Sequence, residues 1–253
     1  MSGVVKILLQ SIANKLGYRI ARISNPDPII DSDHEFLEIY EKCKAYTMTS
    51  KERMYALYKS VEHIVRAGIP GDFVECGVWK GGSAMLIVYA LRKLMVTNRK
   101  IYLYDTFEGM PEPSADDYRV GGQGSTAIEK FRNNQQDSYN AWCYAPYNQV
   151  RNNMSLTLYP AENIIFVKGK VEDTIPHIVP GMIALLRLDT DLYESTKHEF
   201  FHLYPLLTQK GILLIDDYGH WAGCKKAVDE YFTDKSILLN RIDYTGRIGQ
   251  KID

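Results

Sequence analysis

Short apolar runs alternate with helical patterns from residue 72 onward. Apolar strands separated by helices are typical of a parallel sheet that is covered by helices on both faces. The runs that predict parallel strands are Asp72–Cys76, Lys100–Tyr104, Asn163–Lys168, Ile183–Leu188 and Gly211–Ile215, and the helical patterns are Gly82–Leu94, Ser195–Leu207 and Gly223–Phe232. Two final runs, Ile237–Ile242 and Ile248–Ile252, predict an antiparallel hairpin at one edge. The pattern therefore indicates an α/β fold with a mostly parallel sheet.

The first 70 residues have a helical period and predict a helical extension, which precedes a sheet domain at residues 71–253. Helices are expected at about Asp33–Tyr46 and Ser50–Arg66. Ser50 lacks the glutamate of a capping box but can cap its helix alone. Residues 1–25 contain four basic and no acidic side chains. We expect them to form a helix that packs on the domain or on a second subunit. The alternative is a helix that lies on an anionic membrane surface.

Composition limits the classes of protein to be considered. The chain has 253 residues, of which 45% are hydrophobic and 24% charged, so it can bury a core and global disorder is excluded. The formal net charge of -1 argues against general nucleic-acid binding. No apolar run reaches the roughly 18 residues needed to span a bilayer. The cysteines at positions 43, 76, 143 and 224 form no Cys-x-x-Cys pair, which favours reduced thiols in a cytoplasmic protein.

A glycine-rich turn follows the first predicted strand, at the carboxyl end where ligands of parallel sheets bind. Its sequence is Glu75-Cys76-Gly77-Val78-Trp79-Lys80-Gly81-Gly82-Ser83. Glycines there allow the backbone to approach a ligand and present amides at the start of the next helix. The spacing is neither that of a dinucleotide-binding turn nor that of a P-loop. Glu75 would repel a pyrophosphate and suits a ligand with an amine or a positive centre. The alternative is a purely structural glycine turn.

Acidic residues follow the second and third predicted strands. Asp105 ends the second strand, where a carboxylate usually accepts hydrogen bonds from a ribose diol. A helix cap or a solvent-facing acid is the alternative, and the preceding glycine turn favours the ribose. After the third strand, Asp173 and Thr174 lie where a polar side chain can reach the exocyclic amine of an adenine, and both fit a helix cap equally well.

Four carboxylates follow the fourth and fifth predicted strands. Asp189 and Asp191 come after the fourth strand, and Asp216 and Asp217 come after the fifth. If these strands are neighbours, the carboxylates converge and repel one another unless a cation or a buried proton compensates them. All-oxygen ligation suits a hard divalent ion that keeps some of its waters, and Mg²⁺ is the expected ion. The alternative is a set of separate capping acids exposed to water.

Four longer motifs occur in order between Tyr46 and Phe232. They are Gly71-Asp72-Phe73-Val74-Glu75-Cys76-Gly77-Val78-Trp79-Lys80-Gly81-Gly82, Tyr104-Asp105-Thr106-Phe107-Glu108-Gly109-Met110-Pro111, Leu186-Arg187-Leu188-Asp189-Thr190-Asp191-Leu192-Tyr193-Glu194-Ser195-Thr196 and Ile215-Asp216-Asp217-Tyr218. Together they resemble the macrocin O-methyltransferase (TylF-type) family. The enzymes of this family depend on S-adenosylmethionine and act on sugar or sugar-linked hydroxyls of natural products and glycans.

The resemblance implies a Rossmann-like methyltransferase fold, a homo-oligomer, a Mg²⁺ ion and S-adenosyl-L-methionine as the cofactor. The family's metal ligands fall on Asp189, Asp216 and Asp217, and its proposed general base falls on Asp191. Related catechol methyltransferases use a lysine base three residues after the first metal aspartate, where this chain has Leu192. The residues that the resemblance places at the donor are Thr49, Glu75, Gly77, Trp79, Gly81, Gly82, Ser83, Asp105, Thr106, Phe107, Asp173 and Asp189.

The expected chemistry is methyl transfer without a covalent enzyme intermediate. The sulfonium methyl is already activated, so the protein must hold donor and acceptor in line and remove the alcohol proton. Sugar hydroxyls are weak acids, and a metal ion lowers the pKa of the acceptor oxygen and fixes its direction. In this scheme Glu75 lies near the amino-acid end of the donor.

The segment between Asp105 and Asn163 is too long for a plain crossover between two strands. It carries a glycine-rich run at residues 121–125 and then four large aromatic side chains, Tyr139, Trp142, Tyr144 and Tyr147. These features predict a lid that covers the site and stacks on a sugar face. An oligomer contact made by the same aromatic side chains is the alternative.

Three other functions share parts of this pattern. A catechol or phenol O-methyltransferase would use the same metal chemistry and differ only in its pocket. A non-catalytic nucleotide-binding scaffold on this fold is disfavoured by the intact acidic cluster. A nicotinamide dehydrogenase is disfavoured by the glycine spacing. The sequence leaves open the acceptor, the hydroxyl that is methylated and the size of the oligomer.

Overall fold

The computed structural model describes Ser11, Ala13, residues 27–122 and residues 126–252. The chain divides into two units, residues 1–34 and residues 35–253. In the first unit, helix α1 spans Pro28–Ser32, and the side chain of Asp27 caps it by accepting hydrogen bonds from the N–H groups of two residues in its first turn. Apart from Ser11 and Ala13, the helix expected at residues 1–25 lies outside the described residues.

From His34 onward, the described residues form a seven-stranded sheet with helices between its strands. The strands are β1 Asp72–Cys76, β2 Ile101–Asp105, β3 Ile164–Lys168, β4 Ile183–Leu188, β5 Leu207–Ile215, β6 Asn240–Arg241 and β7 Arg247–Gln250. The helices are α2 His34–Cys43, α3 Lys51–Arg66, α4 Gly82–Lys93, α5 Ala127–Asn134, α6 Tyr147–Ser155, α7 Val171–Thr174, α8 Tyr193–His202 and α9 Ala222–Tyr231. Short 3-10 turns lie at Lys44–Tyr46, Ala161–Asn163 and Tyr204–Leu206.

The sheet has the strand order β3-β2-β1-β4-β5-β7-β6. Strands β1 to β5 pair in parallel, whereas β7 pairs antiparallel with both β5 and β6. The predicted fold class, a mostly parallel sheet with an antiparallel edge, is confirmed. The direction of the strand order reverses between β1 and β4, so the loops after these two strands diverge and leave a crevice for a ligand.

Helix α8 differs at both ends from the predicted helix at Ser195–Leu207. It begins two residues earlier, at Tyr193, because the carboxylate of Asp117 accepts a hydrogen bond from the Tyr193 N–H at 2.8 Å. It ends at His202 and is followed by a 3-10 turn that contains Pro205. Proline has no N–H to continue a helix. The early start depends on a residue 76 positions away, which local periodicity does not report.

The antiparallel edge is shorter than the predicted hairpin of Ile237–Ile242 and Ile248–Ile252. Strand β6 contains only Asn240 and Arg241. Ile237 and Leu239 instead pack their side chains against the hydrophobic core and take no part in strand pairing. The side chains of this segment are therefore used in core packing, and only two of its residues pair as a strand.

The central strands are the most deeply buried part of the sheet. Every residue of β4 is buried, as are the last four residues of β1. Strands covered on both faces need apolar side chains on both, which explains their nearly continuous hydrophobic sequences. No helix within residues 27–122 and 126–252 is both long enough and apolar enough to cross a bilayer.

Candidate active site

A cavity of about 290 Å³ lies at the carboxyl ends of the central strands. Its lining includes residues that follow β1, β2, β4 and β5, where ligands bind in sheets of this kind. The sequence-predicted site residues in the lining are Thr49, Gly77, Trp79, Ser83, Asp105, Thr106, Asp189, Asp191, Asp216 and Asp217. The remaining predicted residues, Glu75, Gly81, Gly82, Phe107 and Asp173, are not among the lining residues.

Two of these remaining residues, Glu75 and Phe107, are buried in the protein, and Asp173 is exposed. Glu75 is 1% exposed and lies beneath the glycine turn. Phe107 is buried, and its ring packs edge-on against Tyr147 with 5.3 Å between the ring centroids. Asp173 is in helix α7, where its neighbour Glu172 is the acid that lines the cavity.

Two glycines allow the cavity walls to approach each other. Gly77 has φ +83°, and a Cβ at this position would lie 2.0 Å from the carbonyl oxygen of Asp189. A Cβ on Gly82 would lie 2.6 Å from the backbone of Tyr46 and 2.7 Å from the side chain of Thr47. The glycine turn therefore has a structural role as well as a place in the lining, since it brings the segments around residues 46 and 189 to the same site.

The carboxylate of Asp105 joins the turns after β1 and β2. One oxygen accepts hydrogen bonds from the N–H groups of Val78 at 2.7 Å and Trp79 at 3.0 Å, and the other accepts one from Phe107 at 2.7 Å. Burial raises the pKa of Asp105, and the three backbone N–H groups oppose that rise. The carboxylate is thus held in a fixed direction at the edge of the cavity.

Arg187, the fifth residue of β4, is paired with three carboxylates. Its Nη1 donates to Glu75 and Asp189 at 2.7 Å each, and its Nη2 donates to Thr49 Oγ1 at 2.9 Å and to Asp216 at 2.7 Å. Burial raises the pKa of Glu75 to about 7, although Arg187 acts in the opposite direction. Sequence reasoning gave Arg187 no role. An arginine inside a buried apolar strand was the signal that it needs acidic partners.

Arg53 provides a second cation, from helix α3. Its guanidinium bonds to Asp216 through Nη1 and to Asp243 through Nε at 3.0 Å. Both oxygens of Asp216 are therefore engaged by arginines, because the other one accepts from Arg187. Sequence reasoning also missed Arg53, whose two partners are 163 and 190 residues further along the chain.

Three aspartates form a second cluster, in which Arg187 contacts only Asp189 among the described residues. Asp189, Asp191 and Asp217 each place a carboxylate oxygen within 4.8 Å of the other two. Oδ2 of Asp217 is buried and finds no hydrogen-bond partner among the described residues. Oxygen ligands in this number and an orphaned carboxylate oxygen fit a divalent cation. Of the predicted ligands, the structure brings Asp189 and Asp217 together and places Asp216 on the arginines.

Burial and the neighbouring carboxylates oppose ionisation of the three aspartates in this cluster. Burial raises the pKa of Asp191 to about 6, and a hydrogen bond with Asp217 partly offsets the rise. Burial also raises the pKa of Asp189 and of Asp217 well above the usual range, and the neighbouring carboxylates add to the effect. Asp191 has φ +68°, a left-handed backbone that aspartate tolerates better than most residues. The turn after β4 thus directs Asp191 into the cavity that Asp189 and Asp217 also line.

The long segment after β2 contributes one of its four large aromatic residues to the lining. Trp142 lines the cavity, whereas Tyr139 and Tyr144 stack on each other with 4.2 Å between their ring centroids. Tyr147 packs against Phe107. The predicted glycine-rich run falls partly at residues 123–125, which lie outside the described residues. Whether this segment acts as a lid or as an oligomer contact stays a prediction.

Residues 41–251 match the model of a protein family, Macrocin-O-methyltransferase (TylF). The 8-demethyl-8-(2,3-dimethoxy-alpha-L-rhamnosyl)-tetracenomycin-C 4'-O-methyltransferase of Streptomyces olivaceus is 35% identical over 243 residues, which cover 94% of this chain and 89% of that enzyme. The demethyldecarbamoylnovobiocin O-methyltransferase of Streptomyces niveus is 34% identical over 202 residues, covering 78% of this chain and 73% of that enzyme. The solved structure of the O-methyltransferase NovP superimposes with a TM-score of 0.72 at 32% identity, covering 82% of this chain and 83% of that one.

Proposed function

The chain belongs to the macrocin-O-methyltransferase (TylF) family, and from that membership we propose that it methylates a sugar hydroxyl of a glycosylated small molecule, with S-adenosyl-L-methionine as the donor. The names of the two Streptomyces relatives support this class of acceptor, since one acts on a rhamnosylated tetracenomycin and the other on a novobiocin precursor. The observation that carries the proposal is one cavity whose lining joins the glycine turn after β1 to the aspartates after β4 and β5.

The donor half of the cavity is formed by the turns after β1 and β2. S-adenosylmethionine supplies a methyl group that is already activated on a sulfonium. Asp105 accepts hydrogen bonds from three backbone N–H groups and a long one, at 3.5 Å, from the Thr106 hydroxyl. A carboxylate has about four acceptor positions, so a ribose hydroxyl would take the position of this long hydrogen bond. We assign the donor contacts in this half to Thr49, Gly77, Trp79, Ser83, Asp105 and Thr106.

The metal half is formed by the turns after β4 and β5. We propose that Asp189 and Asp217 hold Mg²⁺, because their carboxylate oxygens converge and one oxygen of Asp217 has no partner among the described residues. Bound there, the ion would lower the pKa of an acceptor hydroxyl and fix its direction. Asp216 is the third predicted ligand. To bind the ion, one of its carboxylate oxygens would have to give up its hydrogen bond with an arginine.

Asp191 is the proposed general base. It lines the same cavity as the donor turn, and it is fixed by a left-handed backbone instead of an ion pair with either arginine. With its pKa at about 6, Asp191 is mostly ionised at neutral pH and can accept a proton from the acceptor hydroxyl.

The test is transfer of a labelled methyl group from S-adenosylmethionine to a panel of glycosylated polyketides, glycolipids, sugar nucleotides and simple catechols. We expect label on a glycoside, and we expect EDTA to abolish the transfer. Label on catechols alone would contradict the sugar assignment in favour of the phenolic alternative. Full activity in EDTA would remove the metal from the scheme.

A variant pair tests the base in the same assay. Asp191→Asn should lower the rate about 100-fold or more while S-adenosylhomocysteine binds as in the wild type. Asp234→Asn, at an exposed aspartate beyond α9, is the matched control and should keep the wild-type rate. Near-normal turnover by Asp191→Asn would place the base elsewhere.

The family also implies a homo-oligomer, which we propose for this chain and which sedimentation velocity would measure. We propose a cytoplasmic location as well. Its support is that all four cysteines are unpaired and three of them are buried, as expected of thiols in a reducing compartment.

A further inference from the structure

A lysine in the long segment after β2 faces the cavity without an acidic partner among the residues that the structure describes. Lys130 is half-buried in helix α5 and is one of the lining residues. Its ammonium lies 4.2 Å from the ring centroid of Trp142. No hydrogen bond or ion pair joins that ammonium to any residue in the described part of the chain. A lysine ammonium is strongly hydrated and normally extends to water, so its position over a ring inside a cavity needs an explanation.

The surrounding segment fixes Lys130 in place. Asn140 is 3% exposed, and its side-chain amide donates to the carbonyl oxygen of Phe131, next to Lys130, at 2.9 Å. The side-chain oxygen of Asn140 accepts from the Trp142 N–H at 2.9 Å. The Met110 N–H in turn donates to the Trp142 carbonyl oxygen at 3.0 Å. These hydrogen bonds hold helix α5 and Trp142 together, so the Lys130 ammonium lies over an aromatic residue whose position is fixed.

Lys130 lies on the acceptor side of the cavity. The Trp142 ring beneath its ammonium lies 5.7 Å from the Trp221 ring, which lies 5.0 Å from the His220 ring, and Lys130 lines the same cavity as His220 and Asp191. It makes no ion pair with Asp191, which leaves space between the two groups. Asp191 faces that space as a proton acceptor, and Lys130 faces it as a donor of up to three hydrogen bonds.

We propose that Lys130 is a specificity-determining residue that binds the acceptor through the oxygen next to the hydroxyl being methylated. Two adjacent sugar oxygens span the space between the two side chains, so that one gives its proton to Asp191 and the other accepts a hydrogen bond from Lys130. The acceptor is then a vicinal diol. This inference rests on the proposed sugar acceptor and adds the requirement for a free neighbouring oxygen.

The test compares two acceptors on three proteins. The acceptors are the glycoside identified by the labelled-methyl panel and its deoxy analogue, which lacks only the hydroxyl next to the methylated one. The proteins are the wild type, Lys130→Met and Lys130→Arg, and each must bind S-adenosylhomocysteine with wild-type affinity to show that the donor half is intact.

We expect Lys130→Met to lower kcat/KM about 10- to 100-fold with the glycoside, the range of a hydrogen bond to a charged group, and by less than about 3-fold with the deoxy analogue. The wild type should show the same loss when the glycoside is replaced by the analogue. Lys130→Arg should retain a preference for the glycoside, because arginine keeps the charge and the donors.

Lys235→Met is the matched control. Lys235 is an exposed lysine whose ammonium lies 3.9 Å from the ring centroid of Tyr231, away from the cavity, so the substitution removes a similar lysine–ring contact. It should leave both kcat/KM values unchanged.

Equal losses by Lys130→Met on both acceptors, or no loss on either, would overturn the proposal and leave Lys130 as a packing residue. Failure of the proposed function has a different signature. In that case the wild-type protein labels no glycoside at all, and this inference is overturned with it.

Discussion

At the scale of single residues, charge compensation organises the site. Arg53 and Arg187 together bond to both oxygens of Asp216. Each arginine also holds other acids, with Arg187 reaching Glu75 and Asp189. A buried carboxylate without such a partner must be protonated or bind a cation. Among the four aspartates after β4 and β5, Asp217 is the one with a buried unpartnered oxygen in the described structure, and it is therefore the aspartate most in need of an ion.

This difference predicts which of two substitutions weakens metal binding more. Asp217→Asn should weaken Mn²⁺ binding, measured by calorimetry with the ion as a Mg²⁺ substitute, more than Asp216→Asn does. The physical reason is that Asp216 already has two cationic partners, whereas Asp217 has none in contact within the described part of the chain. The reverse order would mean that Asp216 leaves its arginines when the ion binds, as the family's ligand set implies.

A second buried acid supports a prediction about pH. Glu199 is fully buried in α8, and one of its oxygens accepts a hydrogen bond from Thr190 at 2.9 Å while the other has no partner among the described residues. Burial raises its pKa well above the ordinary value of 4.5. Above that ordinary value the unfolded chain loses the proton and the folded chain keeps it. The stability that Glu199 contributes therefore falls as the pH rises.

Glu199→Gln should remove this dependence. Relative to the wild type, the variant's free energy of unfolding should increase by up to about 1.4 kcal/mol for each pH unit above the ordinary pKa of Glu199. Urea denaturation at several pH values measures this difference. Glu194→Gln, at an exposed glutamate of the same helix, should show no such gain. A constant difference between Glu199→Gln and the wild type at every pH would contradict the account.

At the scale of elements, the long segment after β2 is anchored to helix α8. The carboxylate of Asp117 accepts hydrogen bonds from the N–H of Tyr193 and from the N–H and hydroxyl of Ser114, each at 2.8 Å. Tyr193 comes two residues after Asp191 in the chain. The same carboxylate lies against Gly223, where an added Cβ would meet it at 2.0 Å. The segment therefore helps to set the position of the proposed base.

A double-mutant cycle measures this contact. Gly223→Ala should destabilise the fold by about 1–3 kcal/mol, the cost of overpacking a filled site. In an Asp117→Ala background the added methyl group meets no carboxylate, so the same substitution should cost less. Denaturant unfolding of the four proteins gives the coupling. Additive effects would show that Asp117 and Gly223 do not share the space.

At the scale of the whole molecule, the sequence was most informative where the signal is local. Apolar runs placed the five parallel strands, and the glycine spacing and strand-end aspartates placed most of the cavity lining. Contacts between distant segments were not predictable in this way. Arg53 meets Asp216 and Asp243, and Asp117 extends α8, only because the fold brings them together. Nothing in the local pattern of these residues encodes their partners.

The position of the transferred methyl group tests the central claim most directly. The glycoside product is made from S-adenosylmethionine with a ¹³C-labelled methyl group, and NMR then correlates the methyl protons with the carbon that bears the new ether. We predict a correlation to a carbon of the sugar ring, and its loss when Asp191→Asn replaces the wild type. A correlation to an aromatic carbon, or a methyl group bound to nitrogen or sulfur, would contradict the account.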